Sequence, residues 1–221
     1  PDAQESRGLG DVYKRQLDDF ASCSADYVEP INTLYNNHTI SECPPNGQGI
    51  CALIILRVLS RYNLKCLNEA DRIHLLAEAT KLAYHQRNAY ISDPSFSEIP
   101  VDWLLSDGHI TALQKQIDMT KSKSYGPADF PNHSDTTYLC CVDRDGNAIS
   151  FINSLFSAFG SGIMAPKTGV VLQNRGSSFN LNSNHVNCIE GGKRPMHTII
   201  PGKSVAKQVV AIMTEAMKDE R

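Results

Sequence analysis

A polar segment from residue 121 to residue 134 divides the chain into two parts that differ in hydrophobic periodicity. The segment is rich in lysine and serine and contains Gly126-Pro127 and Pro131-Asn132, which favour loops. Apolar residues recur at helical spacing before it and alternate as in β-strands after it. Helices followed by a connecting loop and then strands predict an α+β fold, with helices packed on an antiparallel sheet.

The first part predicts two long helices and one shorter helix. Asn46, at the end of a Pro/Gly-rich loop, is the expected N-cap of a helix over 47–61. The buried face of this helix is expected to contain Ile50, Leu53, Ile54 and Val58. A second helix is predicted over 69–88, with an apolar stripe of Leu75, Leu76, Ala79, Leu82 and Ala83. The shorter helix is predicted over 107–119.

The second part predicts a β-hairpin and one further strand. Strands over 138–142 and 148–156 flank Asp145-Gly146, which is a hairpin-turn signal. A short apolar run at 170–172 predicts the further strand. The residues from Lys203 to Arg221 have the spacing of an amphipathic helix.

Composition excludes several classes of protein. The net charge of −3 comes with no basic stripe, which argues against nucleic-acid binding. No apolar run approaches the roughly 18 residues of a membrane span, so we expect no membrane-spanning helix. Seven cysteines without a C-x-x-C pair predict buried reduced thiols, which favours the cytoplasm over an oxidising compartment, although the compartment stays open. His74 and His85 are about 16 Å apart along a helix, and we predict no metal site.

Thr136 is the main candidate for a catalytic residue. A threonine hydroxyl becomes a good nucleophile when the residue is at a chain N-terminus, because its own α-amine then serves as the base. An internal threonine reaches that state only by cleavage of the bond before it, and here a flexible loop precedes Thr136 and a strand follows it. A threonine at the start of a strand is also common for structural reasons alone. Cys140 is a lesser alternative nucleophile.

Several ordered blocks give Thr136 a wider context. They are DTTY (135–138), VDRDGNA (142–148), FGSGI (159–163), LQNRGSSF (172–179) and GKRPMHT (192–198), preceded by ECPPNGQG (42–49) and Asp93-Pro94. In this order they resemble the γ-glutamyltransferase (glutathione hydrolase) family, at the junction of its large and small subunits. The resemblance covers roughly residues 17–201.

The resemblance implies an N-terminal-nucleophile hydrolase fold, which is an αββα sandwich, and a precursor cut between Asp135 and Thr136. Thr136 would then carry the γ-glutamyl group of glutathione or another amide to water or to an amine, without metal or organic cofactor. Thr137 and Ser154 would assist Thr136. The implied substrate-binding residues are Arg175, Ser177, Ser178, His197 and Thr198.

Three features differ from the best-known members of the family. Phe156 stands in place of Asn. Arg175 and Ser178 stand in place of the Gln and Asp that bind the glutamyl group, and His197-Thr198 replaces a Ser-Ser pair. The pattern is more similar to a divergent bacterial and archaeal branch that also resembles cephalosporin acylases. A second hypothesis is therefore hydrolysis of glutaryl or other acyl amides by the same fold.

The resemblance also divides the chain. Residues 1–16 contain GLGDVYKRQ, which resembles a tag at the ends of environmental sequence assemblies, and are interpreted as a non-native leader. Residues 17–135 match the C-terminal part of a large subunit and residues 136–201 the N-terminal part of a small subunit. Residues 202–221 are interpreted as a tail helix outside the family. The family's substrate-gripping Arg and downstream Gly-Gly motif are missing, so a third hypothesis is an inactive fragment.

Overall fold

The computed structural model describes residues 17–22, 24–125 and 135–204. The α-helices are α1 (Leu17–Ala21), α2 (Gly49–Leu59), α3 (Glu69–Tyr90), α4 (Val101–Leu104) and α5 (Asp107–Gln114). The strands are β1 (Ile31–Tyr35), β2 (His38–Glu42), β3 (Asp135–Val142), β4 (Ala148–Phe156) and β5 (Lys203–Ser204). Short 3-10 turns lie at Leu64–Cys66 and Arg175–Ser178. The α+β class is confirmed.

Helices α2 and α3 pack against each other and form the core of the first part. All four residues expected on the inner face of α2 are buried, because their spacing places them on one side of the helix. The expected stripe of α3 is confirmed at Leu75, Ala79, Leu82 and Ala83, but Leu76 is 49% exposed. Leu76 directly follows the buried Leu75 and is therefore turned about 100° away from the core.

The helix ends differ from the sequence-based prediction in two places. Asn46 is not the N-cap of α2, because the helix starts later and its N-cap is Gln48. The side-chain amide of Asn46 instead donates to the carbonyl of Pro195, at 2.6 Å. Helix α5 ends at Gln114 rather than near residue 119, because the N–H groups of Gln116 and Ile117 bond three residues back instead of four.

The first sheet has the order β1-β2-β5, with antiparallel neighbours. Asn36 and Asn37 connect β1 to β2 with φ values of 48° and 65°. Two residues with positive φ form the hairpin turn that fits the twist of the strands. The sequence did not predict this hairpin. A helix was predicted from Lys203, whereas Lys203–Ser204 pair with β2. The rest of that prediction, like the leader at 1–16, lies outside the described residues.

The second sheet is the antiparallel hairpin of β3 and β4, as predicted. Gly146 occupies its turn with a φ of 86°, a conformation that favours glycine. The strand predicted over 170–172 is wrong, because Val171 makes only one isolated bridge, to Met164. A turn closed by the Val170 carbonyl and the Ala165 N–H holds this apolar run, so it pairs with no further strand.

Other expectations have mixed outcomes. His74 is half-buried and its Nε2 donates a hydrogen bond to the Asp118 carbonyl, and His85 is exposed. Among the described residues, no group of three acidic, histidine or cysteine side chains could hold a metal ion. Of the described helices, none combines the length and apolar character needed to cross a lipid bilayer.

The six described cysteines are free thiols, but only Cys51 is buried, so the prediction of buried thiols is wrong for most of them.

Candidate active site

Thr136 lies at the exposed start of β3, directly opposite Ser154 on β4. A register shift occurs between Asp135 and Thr136, because Asp135 pairs with Phe156 while Thr136 pairs with Ser154. Such a bulge redirects side chains at the end of a hairpin. The Thr136 hydroxyl donates a hydrogen bond to the Ser154 hydroxyl, with Oγ1 and Oγ 3.1 Å apart.

Phe156 supports this pair through an unusual backbone conformation. Its φ of 77° lies in the left-handed region, where a bulky aromatic residue is an outlier. This conformation directs the Phe156 N–H to Ser154 Oγ, at 3.0 Å. The Phe156 ring is buried and stacks with the Arg175 guanidinium, whose Cζ is 4.7 Å from the ring centroid. Strained residues that persist are often found at functional sites.

Arg175 is a charged residue in direct contact with this pair. Its Nη2 donates to Ser154 Oγ at 2.9 Å, and its Nη1 donates to the Thr198 hydroxyl. The side chain is only 2% exposed, and burial lowers the pKa of the guanidinium below its usual value. Within the described ranges no carboxylate forms an ion pair with Arg175. A buried arginine without an acidic partner is costly to stability and is therefore a candidate functional group.

The turn after β4 fixes the backbone next to Arg175. Asn174 donates its N–H to the Leu155 carbonyl at 3.1 Å, and its side-chain oxygen accepts from the Ser157 N–H at 3.0 Å. Gly160 lies so close to the Leu172 carbonyl that an added Cβ would be 2.5 Å from that oxygen. Glycine is required there both for space and for a φ of 55°. The turn therefore holds Arg175 against the end of β4.

The segment at 195–198 binds the loop that precedes α2. The His197 N–H donates to the Asn46 carbonyl, and the Gln48 N–H donates to the His197 carbonyl, both at 2.8 Å. Burial, and then the charge of Arg175, lower the pKa of His197 to about 4. His197 is therefore neutral at neutral pH and adds no positive charge beside Arg175.

Gln48 connects the same segment to α3. Its side-chain Nε2 donates to the Thr198 carbonyl at 2.7 Å, and its Oε1 accepts from Arg87 Nη1 at 2.9 Å. Gln48 and Arg87 are both buried. These two contacts fix the orientation of the amide, because one end can only donate and the other can only accept.

A second buried contact joins the two parts of the chain. Asp93 accepts hydrogen bonds from the Arg194 backbone N–H, at 2.8 Å, and from the Arg194 guanidinium. Burial raises the pKa of Asp93, but the hydrogen bonds from Arg194 and Ser95 outweigh it and leave the pKa below its ordinary value. Asp93 is therefore ionised at neutral pH and fixes the chain just before residues 195–198.

The structure brings together four of the predicted site residues, which are Thr136, Ser154, Arg175 and Thr198. Successive side chains of a strand point to opposite faces, so the Thr137 hydroxyl faces away from Ser154. Ser177 is exposed and donates to the Asn174 carbonyl within its own turn. Ser178 donates to the Met196 carbonyl at 3.0 Å, which places it beside the 195–198 segment.

Sequence reasoning missed two contributors to this site. The resemblance included Gln48 within the block at 42–49 but gave it no role, although it reaches Thr198 across 150 positions of sequence. Phe156 was noted only as a departure from Asn, and its positive φ was not expected. The available signal for Gln48 was its place in the block at 42–49, and the signal for Phe156 was its departure from Asn.

The sequence also matches a known protein family. A family model described as Gamma-glutamyltranspeptidase matches residues 14–214. The chain therefore belongs to the γ-glutamyltranspeptidase family.

Individual relatives have different names. A glutathione hydrolase-like YwrD proenzyme from Bacillus subtilis (strain 168) is 38% identical over 188 residues, covering 84% of this chain and 35% of the relative. An oxamate amidohydrolase proenzyme from Klebsiella pneumoniae subsp. pneumoniae is 34% identical over 185 residues, covering 84% and 35%. Both are proenzymes by name, which fits a family whose members are made as precursors.

A solved cephalosporin acylase from Bacillus halodurans superposes with a TM-score of 0.75 at 37% identity, covering 86% of this chain and 34% of that chain. The likeness supports the fold implied by the family. The chain spans about a third of the length of the relatives it matches.

Proposed function

We propose that this chain carries the processing site and the nucleophile of an enzyme that cleaves γ-glutamyl amides, glutathione among them. The observation that carries the proposal is the hydrogen bond between the Thr136 and Ser154 hydroxyls, at 3.1 Å, on an exposed strand end beside a buried guanidinium. Membership of the family supports it. The hydrogen bond orients the Thr136 hydroxyl, which is a weak nucleophile until an adjacent base activates it.

The first step is cleavage of the chain. Thr136 Oγ1 attacks the Asp135 carbonyl carbon, the amide C–N bond breaks, and the nitrogen takes up the hydroxyl proton and becomes the free α-amine of Thr136. Water then hydrolyses the ester, which leaves a carboxylate on Asp135 and returns the hydroxyl to Thr136. The products are a large subunit that ends at Asp135 and a small subunit that begins at Thr136.

The second step uses the new N-terminus. The Thr136 amine accepts the hydroxyl proton while Oγ1 attacks the substrate amide, and the leaving amine takes the proton as the C–N bond breaks. The acyl group is now an ester of Thr136. Water releases it as a free acid, or an amino-acid amine takes it as a new amide. No step of this scheme uses a metal or an organic cofactor.

Intact-mass spectrometry of the expressed chain tests the first step. We expect the 24.4 kDa chain to give two fragments that meet between Asp135 and Thr136. Thr136→Ala removes the hydroxyl and should stay uncut, whereas Thr136→Ser keeps a hydroxyl and should still cleave. Thr39→Ala, on the exposed face of β2, is the matched control and should cleave like the wild type. Equal cleavage of the Thr136→Ala chain would remove Thr136 from the mechanism.

A second candidate function is hydrolysis of amides whose acyl group has no α-ammonium, such as glutaryl amides. The favouring observation is that the buried positive charge of Arg175 lies next to the Thr136–Ser154 pair, and no carboxylate of the described residues pairs with Arg175. A cation repels an α-ammonium group, which lowers affinity for a glutamyl group. The acylase and oxamate amidohydrolase names of relatives also support this candidate.

A matched pair of anilides separates the two candidates. γ-Glutamyl-p-nitroanilide and glutaryl-p-nitroanilide differ only by the α-ammonium group and release the same chromophore. A higher kcat/KM for the γ-glutamyl compound supports the first candidate, and a higher kcat/KM for the glutaryl compound supports the second. Dependence of either rate on Thr136 is required by both.

A further inference from the structure

A continuous set of hydrogen bonds connects helix α3 with the nucleophile. From α3 it runs through Arg87 to the side chain of Gln48, and from there to the backbone of Thr198. The Thr198 hydroxyl then accepts from Arg175, which donates with its other terminal nitrogen to Ser154.

The set crosses the proposed cleavage point. Arg87 and Gln48 precede residue 135, whereas Ser154, Arg175 and Thr198 follow it. After cleavage, the two groups of residues would belong to different subunits. The contacts between Gln48 and Thr198 and between Asn46 and His197 would then be made between subunits.

We propose that Arg175 is a positioning residue for Thr136, because its guanidinium holds the Ser154 hydroxyl against the nucleophile. Thr198 anchors the guanidinium, and Gln48 of the helical part in turn anchors Thr198. The proposal rests on the function proposed for Thr136. It differs from the substrate-binding role that the family resemblance suggests for Arg175.

The contacts of Arg175 favour an indirect role. Both terminal nitrogens already donate to protein hydroxyls, the Phe156 ring covers one face of the guanidinium, and the residue is 2% exposed. A substrate carboxylate would therefore have to displace Ser154 or Thr198. Arg175 instead acts on the nucleophile through Ser154, whose Oγ is 2.9 Å from Nη2 and 3.1 Å from Thr136 Oγ1.

The guanidinium has a second effect on Thr136, which is electrostatic. A buried positive charge disfavours a nearby ammonium group and favours a nearby alkoxide. It therefore favours the neutral form of the Thr136 amine, which is the form that acts as a base. Arg175 is the charged group that contacts the Thr136–Ser154 pair from its own turn, and His197, the titratable group of the adjoining segment, is neutral because its pKa is lowered to about 4.

Substitution of Arg175 in the full chain tests the proposal, with cleavage at residue 135 and anilide hydrolysis as readouts. We expect Arg175→Gln to lower kcat by about 10²-fold while KM changes less than about threefold, since a preorganised polar contact acts on the reacting atoms. Arg175→Lys retains the charge and should recover part of kcat. Arg57→Gln is the matched control, because Arg57 pairs with Asp107 away from the site and should leave both rates unchanged.

The pH profile distinguishes positioning from a purely structural role. Loss of the positive charge makes the Thr136 amine easier to protonate, so the acidic side of the kcat/KM profile should move to higher pH in Arg175→Gln. Arg175→Lys should keep the wild-type profile. A uniform loss of rate at all pH values, or a rise in KM with unchanged kcat, would overturn the proposal.

A second pair of variants applies if Arg175→Gln fails to fold. Thr198→Val removes the hydroxyl that anchors Arg175 and should lower kcat about tenfold, whereas Thr198→Ser keeps the hydroxyl and should restore it. Equal kcat for the Val and Ser variants overturns the proposal. If the rates fall on substitution of Thr136 but not of Arg175 or Thr198, the positioning role is overturned and the proposed function stands. If the rates do not fall on substitution of Thr136, the proposed function is overturned as well.

Discussion

The helical part, residues 24–125, contains one cluster of buried apolar side chains, contributed mainly by α2, α3 and α5, whereas the large apolar side chains of the strand part, residues 135–204, are mostly exposed or only partly buried. Every buried hydrophobic residue that the structure describes lies between residues 50 and 113, with the exception of Phe156. On the β3–β4 hairpin, Leu139, Ile149 and Phe151 are each about half exposed, at 47%, 53% and 48%.

The two parts therefore depend on different interactions. Apolar burial determines the helical part, because it is the dominant favourable contribution to folding. The strand part instead depends on the backbone pairing of β3 with β4 and on polar contacts with the helical part, such as Asp93 with Arg194. The candidate site belongs to the second kind, since its residues meet through hydrogen bonds and one cation–π contact.

Truncation of a core leucine should give the largest effect. Leu82 is fully buried on α3, so Leu82→Ala should lower the free energy of unfolding by about 2–5 kcal/mol. Leu139→Ala, on the exposed hairpin, is the matched control and should change it by no more than about 0.5 kcal/mol. Urea unfolding measures both. A loss at Leu139 as large as that at Leu82 would contradict the contrast between the two parts.

A buried carboxyl group at the boundary between the parts should give a pH-dependent effect. Glu42 is 4% exposed, and burial raises its pKa from 4.5 to about 7. Its Oε2 has no hydrogen-bond partner among the described residues, and Gly49 and Gly202 lie against the carboxyl group. The native state therefore binds the proton more tightly than the unfolded state.

Because the native pKa is the higher one, the free energy of unfolding should fall as pH rises from 4.5 to 7, by about 3 kcal/mol in total. Glu42→Gln should remove this loss and be more stable than the wild type at pH 8, with little difference at pH 4. Glu78→Gln is the matched control. Burial raises the pKa of Glu78, but hydrogen bonds from Lys81 and Lys123 outweigh it, so this variant should be less stable at pH 8. Urea unfolding at several pH values measures both, and a Glu42→Gln chain no more stable at pH 8 would contradict the assignment.

The sequence predicted the elements that have a local signal, which is either a regular spacing of apolar residues or a turn sequence. Helices α2 and α3 were predicted because their buried residues repeat with the helical period, and β4 was predicted with its observed limits because Asp145-Gly146 marks the turn before it. The β1–β2 hairpin was missed because its turn, Asn36-Asn37, lies between strands without clear apolar alternation. The run at 170–172 was wrongly predicted as a strand, because a strand needs a neighbouring strand to pair with, and the local sequence does not reveal one.

The candidate site was predictable only in its list of residues. Ordered sequence blocks identified Thr136, Ser154 and Arg175, and the structure joins them. The contact between Gln48 and Thr198 depends on packing across 150 positions, and no local spacing indicates it. The same reason explains Asn46, which has the chemistry of an N-cap but binds the distant Pro195 carbonyl instead.

The N-termini of α2 and α3 provide the smallest effect and the finest comparison. Asn68 is the N-cap of α3, and its side-chain oxygen accepts from the Asp71 N–H at 2.9 Å. At α2, the N-cap Gln48 makes no such bond and reaches Thr198 instead. Asn68→Ala should therefore lower the free energy of unfolding by about 1 kcal/mol and leave cleavage at residue 135 unchanged. Asn68→Ser, which keeps a capping oxygen and places no second carboxylate beside Asp71, should be close to the wild type.

Gln48→Ala provides the opposite test at α2. Because its side chain serves the site rather than the helix end, we expect slower cleavage at residue 135 than in Asn68→Ala at comparable stability. Thermal unfolding and a time course of intact mass, run on the same samples, measure the two quantities together. If Asn68→Ala slowed cleavage as much as Gln48→Ala did, the site would depend on the stability of the helical part, and the separation of the two parts into apolar packing and polar positioning would be lost.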